Sequence, residues 1–233
     1  NPDIRELTQD YPSFFKLSNT SASLIVEYEI NDKLQFRSLT GYQDLEKEQG
    51  VDGDRLTEDT FALDRLGFYS YDNWDVLTFW DNESEAISQE FDFIYSGEKL
   101  SLTGGIYYLE HENSNYFLEA TGPAPFEDYI DALANPGPDT LPPFQSVLNF
   151  VEDRTVTRTN KAIFGQATYE ITDDLMVTAG LRYQDETLED EGEQFFGVFG
   201  GFASKRDVDA TTWKIGLDYS ITDDNLVYGL VST

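Results

Sequence analysis

Four times along this chain, two runs of alternating apolar and polar residues flank a very short polar turn, and this period-two pattern constrains the fold more than any other feature. The first pair runs from Ser23 to Ile30, turns at Asn31-Asp32 and returns from Lys33 to Tyr42. The second climbs from Ile87 through Phe91, Phe93 and Tyr95, turns at Ser96-Gly97-Glu98 and returns through Leu100, Leu102, Gly104, Ile106 and Tyr108. The third carries Ile163, Ala167, Tyr169 and Ile171, turns at Thr172-Asp173-Asp174 and returns through Leu175, Val177, Ala179, Leu181 and Tyr183. The fourth holds Trp213, Ile215, Leu217, Tyr219 and Ile221, turns over residues 222–225 and starts back with Leu226, Tyr228 and Leu230. Three turns are near copies, Tyr28-Glu29-Ile30-Asn31-Asp32, Tyr169-Glu170-Ile171-Thr172-Asp173 and Tyr219-Ser220-Ile221-Thr222-Asp223, which marks a repeated structural unit.

The pattern predicts an all-β, antiparallel chain of about eight strands in four hairpins, at about 21–42, 86–109, 157–185 and 208–233. The joining segments, at about 43–85, 110–156 and 186–207, are polar and acidic and read as long loops; a brief helix is expected near Phe126 to Ala134. Short turns at one end and long loops at the other are the habit of a meander set in a membrane. Tyrosine placement gives an independent test. Tyr28, Tyr95, Tyr169 and Tyr219 precede the turns, while Tyr42, Tyr108 and Tyr183 follow them by nine or ten residues. Ten residues at ~3.3 Å each, tilted near 40°, rise about 25 Å, the height of the apolar band between two aromatic girdles of an outer-membrane barrel.

Between those girdles Leu24, Val26, Leu100, Leu102, Ile106, Val177, Leu181, Ile215 and Leu217 share one face, expected to meet lipid. Glu27, Glu29, Glu90, Asp92, Gln166, Arg182, Lys214 and Asp218 share the other, which suits a wet or plugged lumen.

Composition removes competing functions. The 15 Lys+Arg against 45 Asp+Glu leave a net charge of −30, which repels phosphate backbones and argues against nucleic acid as a partner. Without cysteine there is no thiolate zinc site, disulfide or cysteine nucleophile, and the single histidine, His111, leaves little room for a Ser-His-Asp triad. No apolar run reaches the ~18 residues of a spanning helix, which leaves a β-barrel open.

The run from Ala162 to Leu175, with Thr178-Ala179-Gly180-Leu181-Arg182-Tyr183, closely resembles the barrel strands of TonB-dependent outer-membrane receptors. So do Ile87-Ser88-Gln89-Glu90-Phe91 with residues 102–108, Ser38-Leu39-Thr40-Gly41-Tyr42, and residues 213–219. The resemblance implies a 22-stranded barrel plugged by an N-terminal domain, importing a scarce nutrient such as a ferric siderophore with energy passed through TonB. It implies no enzyme and no cofactor, a bacterial outer-membrane location, and lipid, lipopolysaccharide and a small-molecule ligand as partners, with TonB contacted by parts outside this chain. This chain shows neither a plug-like segment nor a TonB box, so it reads as an internal part of a receptor barrel, with the plug domain absent. The alternative is a secreted acidic β-sandwich or small barrel that binds glycan or calcium.

Candidate sites are few. The seven tyrosines, Tyr28, Tyr42, Tyr95, Tyr108, Tyr169, Tyr183 and Tyr219, are expected at the membrane interfaces. Phe195, Phe196, Phe199 and Phe202, set among glycines, read either as a ligand-contacting lip or as the top of two long strands. Asp52-Gly53-Asp54 has carboxylates for calcium but lacks the spacing and terminal glutamate of an EF-hand loop. His111 between Glu110 and Glu112 reads as a solvated loop residue, and no metal or catalytic set is expected. Glu27 with Glu29, or Glu90 with Asp92, resemble a glycosidase pair only in type, since residues two apart on any strand share a face.

Overall fold

The computed structural model describes residues 13–52, 74–123, 147–195, 199–222 and 224–233, and within them the chain is one antiparallel sheet. Its strands are β1 (Phe14–Asn31), β2 (Leu34–Asp52), β3 (Trp74–Ser96), β4 (Leu100–Pro123), β5 (Val147–Thr172), β6 (Leu175–Phe195), β7 (Phe199–Thr222) and β8 (Asn225–Ser232). Each pairs with its neighbours in chain order, β1 through β8, and the sheet is not closed. The all-β class and the four hairpins are as the alternation predicts. The helix expected near Phe126 to Ala134 lies outside the described residues.

The strands are longer than the alternation indicates. β2 continues to Asp52, β3 begins at Trp74, β4 ends at Pro123, β5 begins at Val147, and β6 and β7 run through most of 186–207. Where described, the expected loops at 43–85, 110–156 and 186–207 are therefore strand, and residues 53–73, 124–146 and 196–198 lie outside the described residues. Beyond the upper tyrosines polar residues stand on both faces of the wall over long stretches such as residues 43–49 and 185–194, so hydropathy alternation fades there while the backbone ladder goes on pairing.

The three near-copy turns close alike, on a short polar side chain. The Lys33 amide donates to Asn31 Oδ1 (3.0 Å), the Asp174 amide to Thr172 Oγ1 (3.3 Å), and Asn225 Nδ2 to Thr222 Oγ1 (2.8 Å). Adjacent hairpins are stitched at equivalent positions: Ser96 donates to Lys33 O, Glu170 to Lys99 O and Ser220 to Asp174 O, each at 2.8 Å. Leu34 pairs with Tyr95, Leu100 with Tyr169 and Leu175 with Tyr219, so each hairpin slides along its predecessor by a constant step. A constant stagger is what a tilted barrel wall requires.

Register is unbroken between the turns and residue 119 of β4, so partners across all eight strands keep one face. One such row reads Phe36, Phe93, Gly104, Gly165, Leu181 and Trp213; the next toward the turns reads Leu34, Tyr95, Leu102, Ala167, Ala179 and Ile215. The only buried hydrophobic side chains among the described residues are Leu118 and Ala162, whereas Leu24, Leu181, Ile215 and Leu217 are each at least half exposed. A soluble domain hides such residues in a core; here they coat one continuous outward face.

Candidate functional site

The seven tyrosines all lie on this outward face, in register with its apolar rows. Tyr28, Tyr95, Tyr169 and Tyr219 stand at the turn ends, and Tyr42, Tyr108 and Tyr183 stand farther up the wall. Above the upper set the outward face turns acidic, with Asp44, Glu46 and Glu48 on β2, Asp81, Glu83 and Glu85 on β3, and Glu189, Glu191 and Glu193 on β6. Burial and the neighbouring Glu48 charge push the Asp81 carboxyl above its ordinary value.

The opposite, inner face sorts charge differently. Every arginine among the described residues, Arg37, Arg154, Arg158, Arg182 and Arg206, stands on it. Arg37 donates from Nε (3.0 Å) and Nη2 (2.8 Å) to Asp92 Oδ2, and Asp92 is only 1% exposed. Asp92 sits opposite Gly105, where an added Cβ would come within 2.6 Å of Asp92 Oδ1 and 2.5 Å of the Phe91 carbonyl. Only glycine leaves room for that carboxylate. Glu27 pairs directly with Arg37, and Glu90 stands two residues from Asp92 on the same strand face.

Higher up, Arg154 grips Asp190 with two parallel bonds, Nε to Oδ1 (2.9 Å) and Nη2 to Oδ2 (2.8 Å). Arg158 donates to Glu186 Oε1 (3.0 Å), and His111 Nε2 lies 2.9 Å from Ser84 Oγ. His111 is thus a strand residue on the inner face, not a loop residue. At the top of this face three rings cluster: Trp80 and Phe117 at 5.2 Å between centroids, Phe117 and Phe150 at 5.6 Å, all tilted by about 50°. Beside them Gln194 Nε2 donates to Glu152 Oε2 across β5 and β6.

This aromatic group is missing from the candidates read from the sequence because its residues lie in segments that read as loops. A signal exists all the same: the doublets Phe79-Trp80 and Tyr116-Phe117 place one ring on each face of a strand. The phenylalanine segment is the tip of the β6–β7 hairpin, with Phe195 ending β6, Phe199 opening β7 and the two paired; Phe202 pairs with Gly192, and Phe196 lies outside the described residues. That is the geometry of the tops of two long strands. Asp52 ends β2, and Gly53 and Asp54 lie outside the described residues. Among the described residues no group of three or more metal-binding side chains converges.

Pairing with Arg154 holds the Asp190 carboxyl below its ordinary value. A carboxylate whose folded value is depressed contributes stability above its unfolded value and loses it as pH falls through the folded one. Backbone amide exchange at the β5–β6 tips, corrected for its intrinsic pH dependence, is therefore expected to accelerate as pH drops below about 4. Asp190→Asn should abolish that acceleration; unchanged acid sensitivity in the variant would remove the pair from the explanation.

Comparison with known proteins agrees with this geometry. The family model "TonB dependent receptor-like, beta-barrel" matches residues 1–233. Similar solved structures include the ferric yersiniabactin uptake receptor FyuA from Yersinia pestis, with TM-score 0.64, 13% identity, and coverage of 96% of this chain and 29% of that one. They include the ferric-catecholate import receptor Fiu from E. coli, with TM-score 0.65, 15% identity, and coverage of 97% and 36%. The siderophore receptor PiuA from Acinetobacter baumannii follows with TM-score 0.63, 15% identity, and coverage of 94% and 32%. The chain thus spans roughly a third of their length. No curated protein sequence matches it. At these identities the structures speak for the fold, and the whole-chain family match decides membership: the chain belongs to the TonB-dependent receptor-like β-barrel family of the bacterial outer membrane.

Proposed function

We propose that this chain is the wall of a TonB-dependent receptor that imports an anionic ferric chelate of the siderophore type. The observation that carries the reading is the separation of charge and rings between the two faces. In a chain of net charge −30, all the described arginines and the Trp80–Phe117–Phe150 cluster stand on the inner face, where they share it with carboxylates such as Glu27, Glu90, Asp92 and Asp190, while the outer face above the tyrosines is crowded with carboxylates and holds no described arginine. An anionic ligand is repelled by the acidic outside and meets arginine only on the inside. The rings offer an apolar shelf at the mouth, as ligand sites commonly do. The structural relatives named for ferric catecholate and ferric yersiniabactin support the choice of ligand class.

The rest of the assembly follows from this reading. Eight strands are about 36% of a 22-stranded barrel, close to the share of the relatives that the chain covers. A plug and the TonB contact belong to other parts of the polypeptide, and the ligand crosses without covalent chemistry. The outward face, with its seven tyrosines, meets outer-membrane lipid and lipopolysaccharide. Of the phenylalanine segment, Phe202, opposite Gly192 on the inner face, adds a further ring toward the mouth. A secreted sandwich is disfavoured because the apolar outward face has no second layer over it among the described residues.

The test uses the intact receptor and a ferric tricatecholate. Trp80→Ala with Phe117→Ala is expected to raise the dissociation constant at least tenfold, about 1.4 kcal/mol, with the barrel still folded. Binding unchanged in the double variant, or no binding of ferric chelates by the parent, would overturn the reading.

A further inference from the structure

Resting on that reading, we propose that the inner strip of β3 and β4 beneath the Trp80–Phe117–Phe150 rings binds a neutral polyhydroxyl group, a glycosyl unit carried by the chelate. From Trp80 to Ser88 on β3 and from Leu109 to Phe117 on β4, the inward residues include no Asp, Glu, Lys or Arg. The outward residues of the same stretches include Asp81, Glu83, Glu85, Glu110 and Glu112. Both strands have neighbours on either side, β2 and β5, so the charge-free strip lies in the middle of the wall and not at an edge. Charge stands on its flanks: Lys47 pairs with Asn82 and Arg154 with Asn115, one strand out on each side. An anionic group seated on the rings would find no cation on these two strands.

The strip is made of amides and hydroxyls. Asn82 Nδ2 donates to Asn113 Oδ1 (3.3 Å) and to the Ser114 carbonyl (3.2 Å), which leaves Asn82 Oδ1 as an acceptor and the Asn113 Nδ2 as a donor. Asn115, half-buried between Asn82 and Arg154, makes no hydrogen bond among the described residues. Its amide therefore holds unspent donors and an unspent acceptor. One row above, Trp80 and Phe117 pair directly, and the 52° tilt between their rings opens a shelf. A pyranose has an apolar C–H face and an edge of hydroxyls. Stacked on the shelf, it sets that edge about 7 Å lower, two residues along the strand, at the height of Asn82 and Asn115. An amide side chain, donor and acceptor at once, matches adjacent hydroxyls in a way that an ammonium or a carboxylate does not. The chelate is then held by neutral contacts in the middle while its charge is met by Lys47 and Arg154 at the sides.

The test compares two probes on the intact receptor by calorimetry, a ferric tricatecholate and the same chelate with a glucosyl group on each catechol ring. The parent is expected to bind the glucosylated chelate about tenfold more tightly than the plain one. Asn115→Ala removes an amide that bonds to nothing else in the described wall, so it should erase most of that preference while leaving the plain chelate's affinity and the thermal unfolding unchanged. Glu83→Gln, on the outward face of the neighbouring strand, should keep the preference intact. A parent that binds the glucosylated chelate no better than the plain one overturns the inference and leaves the chelate reading standing. So does an Asn115→Ala variant that keeps the full preference or loses it through unfolding. A parent that binds neither chelate overturns the chelate reading, and titration with maltose then decides the strip separately: maltose binding that Asn115→Ala weakens supports it, and any other result overturns it.

Discussion

Replacing Arg37 by alanine in the intact receptor is expected to destabilise the inserted barrel by about 3 kcal/mol, because it strands a carboxylate whose one salt-bridge partner among the described residues is Arg37. Asp92 is 1% exposed, receives both Arg37 bonds on Oδ2, and has Glu90 close by on the same face. Without the guanidinium, a buried anion stands beside a second anion, Glu90, with no salt-bridge partner left among the described residues. The reciprocal change is milder: in Asp92→Asn, Arg37 is 34% exposed on its side chain and recovers hydration. Arg37→Ala combined with Asp92→Asn should therefore regain most of the loss. Reversible urea unfolding in lipid vesicles, read by the heat-dependent gel shift of folded barrels, measures all three. An Arg37→Ala loss within about 0.5 kcal/mol of zero would mean that the pair is solvated in the assembled receptor.

How legible these features are in the sequence depends on where the strands lie. On the proposed reading, the bilayer between the tyrosine rows forces one face to be apolar, so Leu24, Leu102, Leu181 and Leu217 announce both the strand and its outward side. The repeated Tyr-x-Ile-x-Asp turns announce the hairpins, and the even spacing of Tyr95, Tyr169 and Tyr219 against Leu34, Leu100 and Leu175 becomes a constant stagger once the strands pair. Above the girdles water wets both faces, nothing selects for alternation, and stretches such as Asp44 to Asp52 or Leu188 to Phe195 read as loop although they pair residue for residue.

The candidate site is less legible because it is made by strands distant in sequence. That Arg37 belongs to Asp92, 55 positions away, depends on β2–β3 register and not on local pattern. Trp80, Phe117 and Phe150 likewise meet only once three strands are aligned. What the sequence does hold is parity: a residue's odd or even place after each turn assigns its face, and parity alone puts Arg37, Arg154, Arg158, Arg182 and Arg206 together. The charge segregation that supports an anionic ligand is thus readable in principle once the strands are extended beyond the apolar band.

Parity also makes the second large effect sharp. Leu181→Arg is expected to lower the stability of the inserted barrel by about 2 to 4 kcal/mol, since Leu181 is 58% exposed on the outward face and stands in the row of Phe36, Phe93 and Trp213. An arginine there must either leave its charge in hydrocarbon or bend toward the headgroups, and either way the apolar contact with lipid is lost. Leu217→Arg, two rows nearer the turns on β7 and beside the Tyr219 interface, should cost less because its side chain reaches the headgroup region sooner. Gln166→Arg tests the opposite face at almost the same height: Gln166 pairs with Gly180, one residue from Leu181, and stands on the inner face, proposed as the lumen wall. A cation there joins Arg182 and Lys214 in an aqueous or ligand-filled space and should change stability by less than about 1 kcal/mol. The three variants, unfolded side by side in vesicles of one lipid thickness, separate a lipid-facing wall from a soluble one. Equal tolerance at residues 166, 181 and 217 would refute the face assignment on which both the lumen and its ligand rest.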